Sequence, residues 1–509
     1  MSFARTASVA LVGVQGHVVE VEAHLSPGIP GLVITGLPDA AVAEARDRVR
    51  AAILNSGEDW PSKRMTVGLG PAWLPKHGSG FDLAVAVALL AAADAIPADA
   101  LAGAVLLGEL GLDGRIRPVR GVLPATVAAF AEGIKRVVVA SANAGEARLV
   151  PGVEVLAAPS LGALLARLRG GDPADPEPAA PPVPSVVPAG FGAPDLADVV
   201  GQDLGRLAVE VAAAGGHHLA MFGSPGAGKT MLAERLPGLL PALSIDAALE
   251  VTAVHSVAGT LPPGCPLVDR PPYQAPHHTA SVAALVGGGS GLARPGAVSL
   301  ATHGVLFLDE APEFPRRVLD ALRQPLESRE VVLARSNGVA RYPAAIQLVL
   351  AANPCPCASA AGDSACTCPS GVRRRYIGRL SGPLLDRVDL QVTLMPVRAA
   401  ALLGDCGPGE STAEVAARVA TARAAAAERW REGGWPKNAD VPARPLRTRW
   451  RLPRSVTATA DAAVDRGQLS ARGHCSATRV AWTLADLAGR TVPDAGDVNE
   501  AIFLRRGDA

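Results

Sequence analysis

A glycine-rich turn at residues 223–230 is the stretch whose residue types most clearly suggest chemistry. Glycines there let backbone N–H groups surround phosphate oxygens, and a following helix adds the positive end of its dipole. Lys229 would reach the β- and γ-phosphates, and the Thr230 hydroxyl would ligate Mg²⁺. An apolar run before the turn and a helical pattern after it favour this interpretation over a chance turn. We therefore predict an ATP site formed by Gly223, Ser224, Pro225, Gly226, Ala227, Gly228, Lys229 and Thr230.

Two adjacent carboxylates follow a second apolar run. Val305–Leu308 reads as a buried strand and ends in Asp309 and Glu310. At the carboxyl end of a strand beside a phosphate loop, Asp309 would hold Mg²⁺ through its water shell, and Glu310 would polarise the attacking water. Such a pair is often only a solvated turn, but its place after a phosphate loop favours the catalytic role.

Four of the seven cysteines are crowded into fourteen positions: Cys355, Cys357, Cys366 and Cys368. Four thiolates are enough for a tetrahedral Zn²⁺ site. The Cys-x-Cys spacing is tighter than that of usual zinc fingers, so a redox switch and a plain loop stay open as alternatives. A metal would restrain the loop that leaves the strand ending at Asn353.

Composition limits the class of protein. The 509 residues carry 48 basic and 48 acidic side chains, which excludes a bulk polycation but not a local basic surface for nucleic acid. No apolar stretch reaches the roughly eighteen residues of a membrane span, and the N-terminus lacks a secretory pattern. We expect a cytoplasmic protein with no membrane partner.

The chain divides at a Pro/Ala-rich linker, residues 170–190, which is too poor in large apolar residues to pack. Period-two alternation and helical stretches before it predict an α+β domain over 1–169. An α/β ATPase domain is predicted over 191–397 and a helical domain over 398–509.

The ordered motifs GSPGAGKT, APHHTASVAALVGGG, RPGAVSLATHGVLFLDEAPEF, LRQPLE, AANPCPC, RLSGPLLDRVDL and LSARG, with KHGSGFDLAVAVALLAA nearer the N-terminus, resemble the YifB/ComM family of magnesium-chelatase-like AAA+ ATPases. The resemblance covers nearly the whole chain apart from the linker. It implies an AAA+ P-loop core with a helical lid, preceded by a Lon-protease/S5-like domain. It further implies a ring motor, a hexamer, that acts on single-stranded or branched DNA, as ComM helicases do in branch migration during natural transformation.

The same resemblance suggests roles for further residues. Asn353, at the end of a third apolar run, would help orient the hydrolytic water. Arg387 would be a finger inserted into a neighbouring subunit's site, unless Asp386 and Arg387 are only a surface pair. Arg472 or Arg479 would be the arginine of the lid that touches ATP.

Candidate DNA contacts are all arginines. The alternating segment 329–344 predicts a hairpin around Ser336-Asn337-Gly338 that carries Arg335 and Arg341 toward the pore of the ring; an ordinary solvated hairpin is an even alternative. A basic run follows the cysteines and adds Arg373, Arg374 and Arg375.

The sequence departs from the pattern of the family it resembles in three places. Ser476 and Trp482 stand where further arginines are expected, and Tyr273-Gln274 replaces an aromatic–Arg pair, which puts a DNA contact there in doubt. Residues 108–126 resemble the Lon protease domain, and Ser79 lies at the nucleophile position, but the lysine that would activate it falls on or near Leu123. We expect this domain to be non-proteolytic.

The alternatives to a DNA motor are a chelatase-type ATPase subunit that drives metal insertion into a porphyrin and, third, an ATP-dependent Lon-like protease.

Overall fold

The structure is a computed structural model of the 509-residue chain. It describes residues 3–37, 39, 42, 44–97, 100, 102–170, 194–261, 266–289, 293–335, 338–357, 366–397 and 409–506. The predicted linker lies outside the described residues except at Gly170, as do Cys265, Cys406 and the predicted turn residues Ser336 and Asn337. No helix among the described ranges is both long and apolar enough to cross a membrane.

The first part of the chain builds a seven-stranded mixed sheet with strand order β3-β4-β2-β1-β5-β8-β9 and a small β6–β7 hairpin. Alternating burial along β2 confirms the predicted half-buried strand at 17–25. The strands are β1 Phe3–Val12, β2 Gln15–Ser26, β3 Gly31–Thr35, β4 Arg64–Gly70, β5 Ala104–Leu107, β6 Glu109–Leu110, β7 Ile116–Arg117, β8 Arg136–Ala140 and β9 Glu154–Ala158. The helices are α1 Ala45–Asn55, α2 Asp82–Ala92, α3 Val122–Ala131, α4 Ala144–Ala147 and α5 Leu161–Leu168.

The middle of the chain builds a five-stranded, all-parallel sheet with strand order β11-β14-β17-β10-β18. The central strands Val305–Leu308 and Gln347–Ala352 are buried along their whole length because helices cover both faces of the sheet. The strands of this part are β10 Leu219–Gly223, β11 Tyr273–Gln274, β12 Gly287–Gly288, β13 Arg294–Pro295, β14 Val305–Leu308, β15 Glu330–Arg335, β16 Gly338–Pro343, β17 Gln347–Ala352 and β18 Leu390–Leu394. The helices are α6 Asp203–Gly215, α7 Lys229–Leu239, α8 Ile245–Ala258, α9 Val282–Val286, α10 Ala297–Leu300, α11 Arg316–Ala321, α12 Arg323–Ser328, α13 Ser370–Ile377 and α14 Gly382–Leu385.

The last part is helical in its described residues. Ser411 and Glu414 form a reciprocal capping box that starts α15, where the alanine-rich spacing predicts a helix. These helices share one apolar core with α6, α7 and the central sheet. They are α15 Thr412–Arg429, α16 Ala443–Arg447, α17 Arg454–Asp465, α18 Ala471–Leu487 and α19 Ala495–Arg506. The chain is thus mixed α/β.

The N-terminal sheet is attached to the middle part by buried polar contacts. The Glu146 carboxylate accepts hydrogen bonds from the Ser256 hydroxyl of α8 and from the Leu123 N–H (2.7 Å). The Gly121 N–H donates to the Ser256 oxygen at 2.9 Å. At a second place, the β1–β2 turn lies against β16, where a Cβ on Gly13 would stand 2.7 Å from the Arg341 carbonyl oxygen. The N-terminal part therefore contacts both α8 and the β15–β16 hairpin.

Candidate functional site

The glycine-rich turn joins the carboxyl end of β10 to the start of α7, as the spacing predicts. Gly226 (φ +79°) and Gly228 (φ +83°) adopt the left-handed backbone that glycine accepts at little cost. Inside this turn the Lys229 Nζ donates to the carbonyl oxygens of Gly223 (2.6 Å) and Ser224 (2.9 Å) and to Asn353 Oδ1 (3.0 Å). Burial lowers the pKa of Lys229, and Asp309 and Glu310 partly offset that effect.

Asp309 and Glu310 follow β14 directly beside this turn. The Thr230 hydroxyl donates to Asp309 Oδ2 at 2.8 Å, so the two expected Mg²⁺ ligands already lie in contact. Glu310 has a positive φ of 49°, which is uncommon for a residue with a side chain and recurs at functional sites. Its carboxylate lies 3.2 Å from His278 Nδ1. His278 belongs to the motif APHHTASVAALVGGG, whose spacing does not predict this contact.

The three candidate arginines lie at the other edge of the same sheet. Arg387 precedes β18, and together with Arg472 and Arg479 of α18 it lines a cavity of about 480 Å³. The cavity also includes residues just before β10 and β17, which marks it as the amino edge of the parallel sheet. A five-residue strand is about 16 Å long, more than an arginine side chain can span. The structure therefore separates Arg387, Arg472 and Arg479 from the phosphate loop of their own chain.

One carboxylate that sequence reasoning missed links two of these arginines. Glu327, at the end of α12, forms ion pairs with both Arg387 and Arg472, the latter at 3.0 Å. Hydrogen bonds from Arg472 and Arg387 hold the pKa of Glu327 below its usual value. The Arg387 Nε is buried and has no hydrogen-bond partner among the described residues. Lys437 also lines the cavity, and burial lowers its pKa.

The C-terminal helices are held at this edge by a buried polar network. Asp389 accepts from the Ser476 hydroxyl (2.5 Å) and lies 3.2 Å from His217 Nδ1, while His217 Nε2 contacts Thr483 Oγ1 at 2.8 Å. Ser476 thus has a structural partner where an arginine was expected. Trp482, the second departure, packs in a cluster with Trp430 and Trp450.

The predicted hairpin exists as β15 and β16, with antiparallel register from Glu330↔Pro343 to Arg335↔Gly338. Arg341 is half-exposed and pairs with Glu330 at 2.7 Å. Arg335 lies at the tip, beside Gly288 of the β12–β13 hairpin. The ring of Tyr273, in the third departure from the family pattern, stacks on Phe307 of the sheet, with centroids 6.3 Å apart.

The four cysteines converge, although the two pairs are separated by residues 358–365, which lie outside the described ranges. Their sulfur atoms all lie within 4.8 Å of one another, and Cys355 is buried. Helix α13 starts two residues after Cys368 and carries Arg373, Arg374 and Arg375, for which no ion pair exists among the described residues.

Ser79 has no amine beside it in the described structure. Its hydroxyl donates to the Glu109 carboxylate. Lys76, the lysine nearest in sequence, is buried and donates to the carbonyl oxygens of Leu69 (2.9 Å) and Pro71. Leu123, at the expected lysine position, is buried. A serine that pairs with a carboxylate lacks the base that a Ser–Lys protease requires.

Family models for magnesium chelatase match three stretches of the chain. The model for magnesium chelatase subunit ChlI matches residues 195–402, a second ChlI model matches 21–143, and the ChlI C-terminal model matches 409–505. The first match includes the turn 223–230, the carboxylates Asp309 and Glu310, and the four clustered cysteines, and the third match includes helix α18.

Full-length relatives agree with these models. The chain is 54% identical over its whole length to an uncharacterized protein of Mycobacterium tuberculosis, which it also covers completely. It is 41% identical to competence protein ComM of Haemophilus influenzae, covering 96% of this chain and 94% of that one, and 44% identical to YifB of Escherichia coli over 81% and 80%. A weaker likeness, 27% over 34% of this chain, is to the Lon protease of Rhizobium meliloti.

The order of the motifs, the parallel sheet that carries the phosphate loop, and near full-length relatives lead to one assignment. The chain belongs to the YifB/ComM family of magnesium-chelatase-like AAA+ ATPases.

Proposed function

We propose that this protein is an ATP-hydrolysing ring motor that acts on DNA in the cytoplasm, with the branch-migration activity expected from its resemblance to ComM. The observation that carries the proposal is the division of the ATP machinery between two edges of one sheet. Phosphate-binding residues lie at the carboxyl edge, whereas Arg387, Arg472 and Arg479 line a cavity at the amino edge.

The carboxyl edge would bind and orient ATP. Lys229 would exchange its carbonyl partners for the β- and γ-phosphates, and Thr230 with Asp309 would hold Mg²⁺. The ion, when bound, neutralises charge on the phosphates. Glu310 would take the proton of the attacking water, with His278 fixing its carboxylate, and Asn353 would orient that water.

The amino edge would complete the site of a neighbouring protomer. Repeated head-to-tail, this arrangement closes into a ring, and we propose a hexamer. Arg387 would stabilise charge on the transferred phosphoryl group, and Arg472 or Arg479 would contact the same ATP. In the single chain Glu327 occupies the two arginines that the phosphate would engage.

DNA would be held through its backbone. The hairpin arginines Arg335 and Arg341 and the α13 arginines Arg373, Arg374 and Arg375 offer phosphate contacts without base readout. The printed name of the Haemophilus relative, a competence protein, agrees with a role on incoming DNA. We further propose that the C-terminal helices form the lid and that the N-terminal domain has a Lon/S5-like fold without proteolysis. ATP, Mg²⁺ and a zinc ion on the four cysteines form the proposed set of cofactors.

The test measures ATP turnover by the purified protein with no DNA, linear duplex, single strands and four-way junctions. We expect branched DNA to raise turnover several-fold in the wild type, and Lys229→Ala to remain inactive with every substrate. Turnover that ignores DNA but responds to porphyrin-chelatase partner subunits would replace our proposal with the chelatase alternative. ATP-dependent degradation of an unfolded protein, lost in Ser79→Ala, would replace it with the protease alternative.

A further inference from the structure

The four-cysteine cluster lies between the nucleotide site and a basic helix. Cys355 is two residues beyond Asn353, whose side-chain oxygen accepts the Lys229 Nζ hydrogen bond at 3.0 Å. At its other end, Cys368 is two residues before α13, which carries Arg373, Arg374 and Arg375. Any restraint on the cluster therefore acts on both segments.

The geometry of the sulfur atoms suits one tetrahedral metal ion. Three separations are 2.9 Å (Cys355–Cys357), 3.3 Å (Cys355–Cys366) and 3.6 Å (Cys357–Cys366), and all four Sγ atoms lie within 4.8 Å of one another. Around Zn²⁺ with bonds of about 2.3 Å, tetrahedral thiolates stand about 3.8 Å apart. None of the four cysteines is in a disulfide, and Cys355 is buried, so one side of the cluster packs against the protein interior.

We propose that Cys355, Cys357, Cys366 and Cys368 bind one Zn²⁺ ion as thiolates, and that the ion fixes Asn353 and helix α13 relative to each other. The four thiol protons leave to solvent when the metal binds. All four positions are filled by protein, so the site is structural and has no open position for catalysis. The second half of the proposal rests on the proposed function, because it assigns the joint a role between ATP and DNA.

The downstream contacts of α13 support such a joint. Tyr376 of this helix is buried. Just after it, Arg379 donates to the Pro312 carbonyl oxygen and pairs with Glu313, both at 3.1 Å. Pro312 and Glu313 lie two and three residues after Glu310 in the chain. The helix is thus held close to the Asp309–Glu310 pair at its C-terminal end and, through the metal, close to Asn353 at its N-terminal end.

Metal content tests the site without reference to ATP or DNA. The full-length protein, purified without chelators, is analysed by elemental mass spectrometry, and its thiols are titrated with a thiol reagent before and after the metal is removed with a chelator. We expect about one zinc per chain, lost in both Cys357→Ser and Cys368→Ser. The matched control Cys475→Ser changes a cysteine outside the cluster and should keep the zinc, as should Lys229→Ala.

Two results would overturn the metal assignment: a metal-free preparation whose four cluster thiols all react at once, or an iron–sulfur absorption near 400 nm with stoichiometric iron. The joint is tested separately in the zinc-free variants. Nucleotide affinity should stay near wild type, because the turn 223–230 is intact, while DNA-stimulated turnover should fall about ten- to a hundred-fold as Asn353 loses its position. Zinc loss with unchanged DNA stimulation would refute the joint but leave the metal site standing.

Discussion

The phosphate-binding residues and the arginines lie at opposite edges of the sheet, and this separation predicts how much activity a ring assembled from two different variants should have. Lys229→Ala removes the ammonium at the carboxyl edge, and Arg387→Ala removes the guanidinium at the amino edge. Each variant alone should lose at least about 100-fold in turnover, the scale for deleting one group that stabilises transition-state charge. Because the two edges are about a strand length apart, one chain cannot supply both groups to one ATP.

Mixing the two variants should restore activity. At each interface the phosphate loop is intact in half of the chains and the arginine is intact in half of their neighbours, so about one quarter of the sites in a random one-to-one ring are complete. We therefore expect about one quarter of the wild-type rate if the sites act independently. The assay is phosphate release after co-incubation under conditions that allow subunit exchange.

The control must separate loss of the finger from loss of a surface charge. Arg431→Ala removes an exposed arginine that pairs with Glu428, and it should turn over ATP at the wild-type rate. Single variants must assemble like the wild type in solution scattering. If assembled mixtures stay as inactive as the single variants, the shared-site geometry is refuted.

Three further outcomes follow from single contacts. Asn353→Ala should lower turnover about 100-fold with little change in ATP affinity, because the turn 223–230 and the Lys229 ammonium that would bind the phosphates stay unchanged; a large loss of affinity would contradict this. His218 Nδ1 accepts a hydrogen bond from the Leu348 N–H at 3.0 Å, and burial lowers the pKa of His218 to about 4. The unfolded chain therefore binds a proton at His218 more readily than the folded protein does, and the free energy of unfolding falls as the pH drops from about 6.5 to 4. At pH 5 this costs about 2 kcal/mol relative to neutral pH, and His218→Asn, which keeps an acceptor, should reduce that loss in urea unfolding; an unchanged pH dependence would refute it. Ser79→Ala should leave ATP turnover unchanged, and the variant and the wild type should show the same rate in a peptidase assay. The reason is that the Ser79 hydroxyl has Glu109 as its only hydrogen-bond partner in the described structure.

Much of the nucleotide site could be predicted from the sequence because its residues are local. The turn 223–230 combines glycines that accept positive φ with a strand before and a helix after it, and this pattern is complete within residues 219–239. Asp309, Glu310 and Asn353 each end an apolar strand. In a parallel sheet such ends meet at one edge, so the contacts of Asn353 with Lys229 and of Asp309 with Thr230 are a consequence of the strand pattern. The two Cys-x-Cys pairs could likewise be recognised from their short spacing in the sequence.

What only the tertiary structure decided are the contacts between distant segments. Glu327 and Arg472 are 145 residues apart in the chain yet form an ion pair, and no local pattern predicts it. The contact of His278 with Glu310 is of the same kind. Above all, the sequence marks Arg387 as a candidate finger but does not tell which edge it occupies. Strand order and parallel direction put it at the amino edge, because residues before a strand and residues after one lie at opposite ends of a parallel sheet.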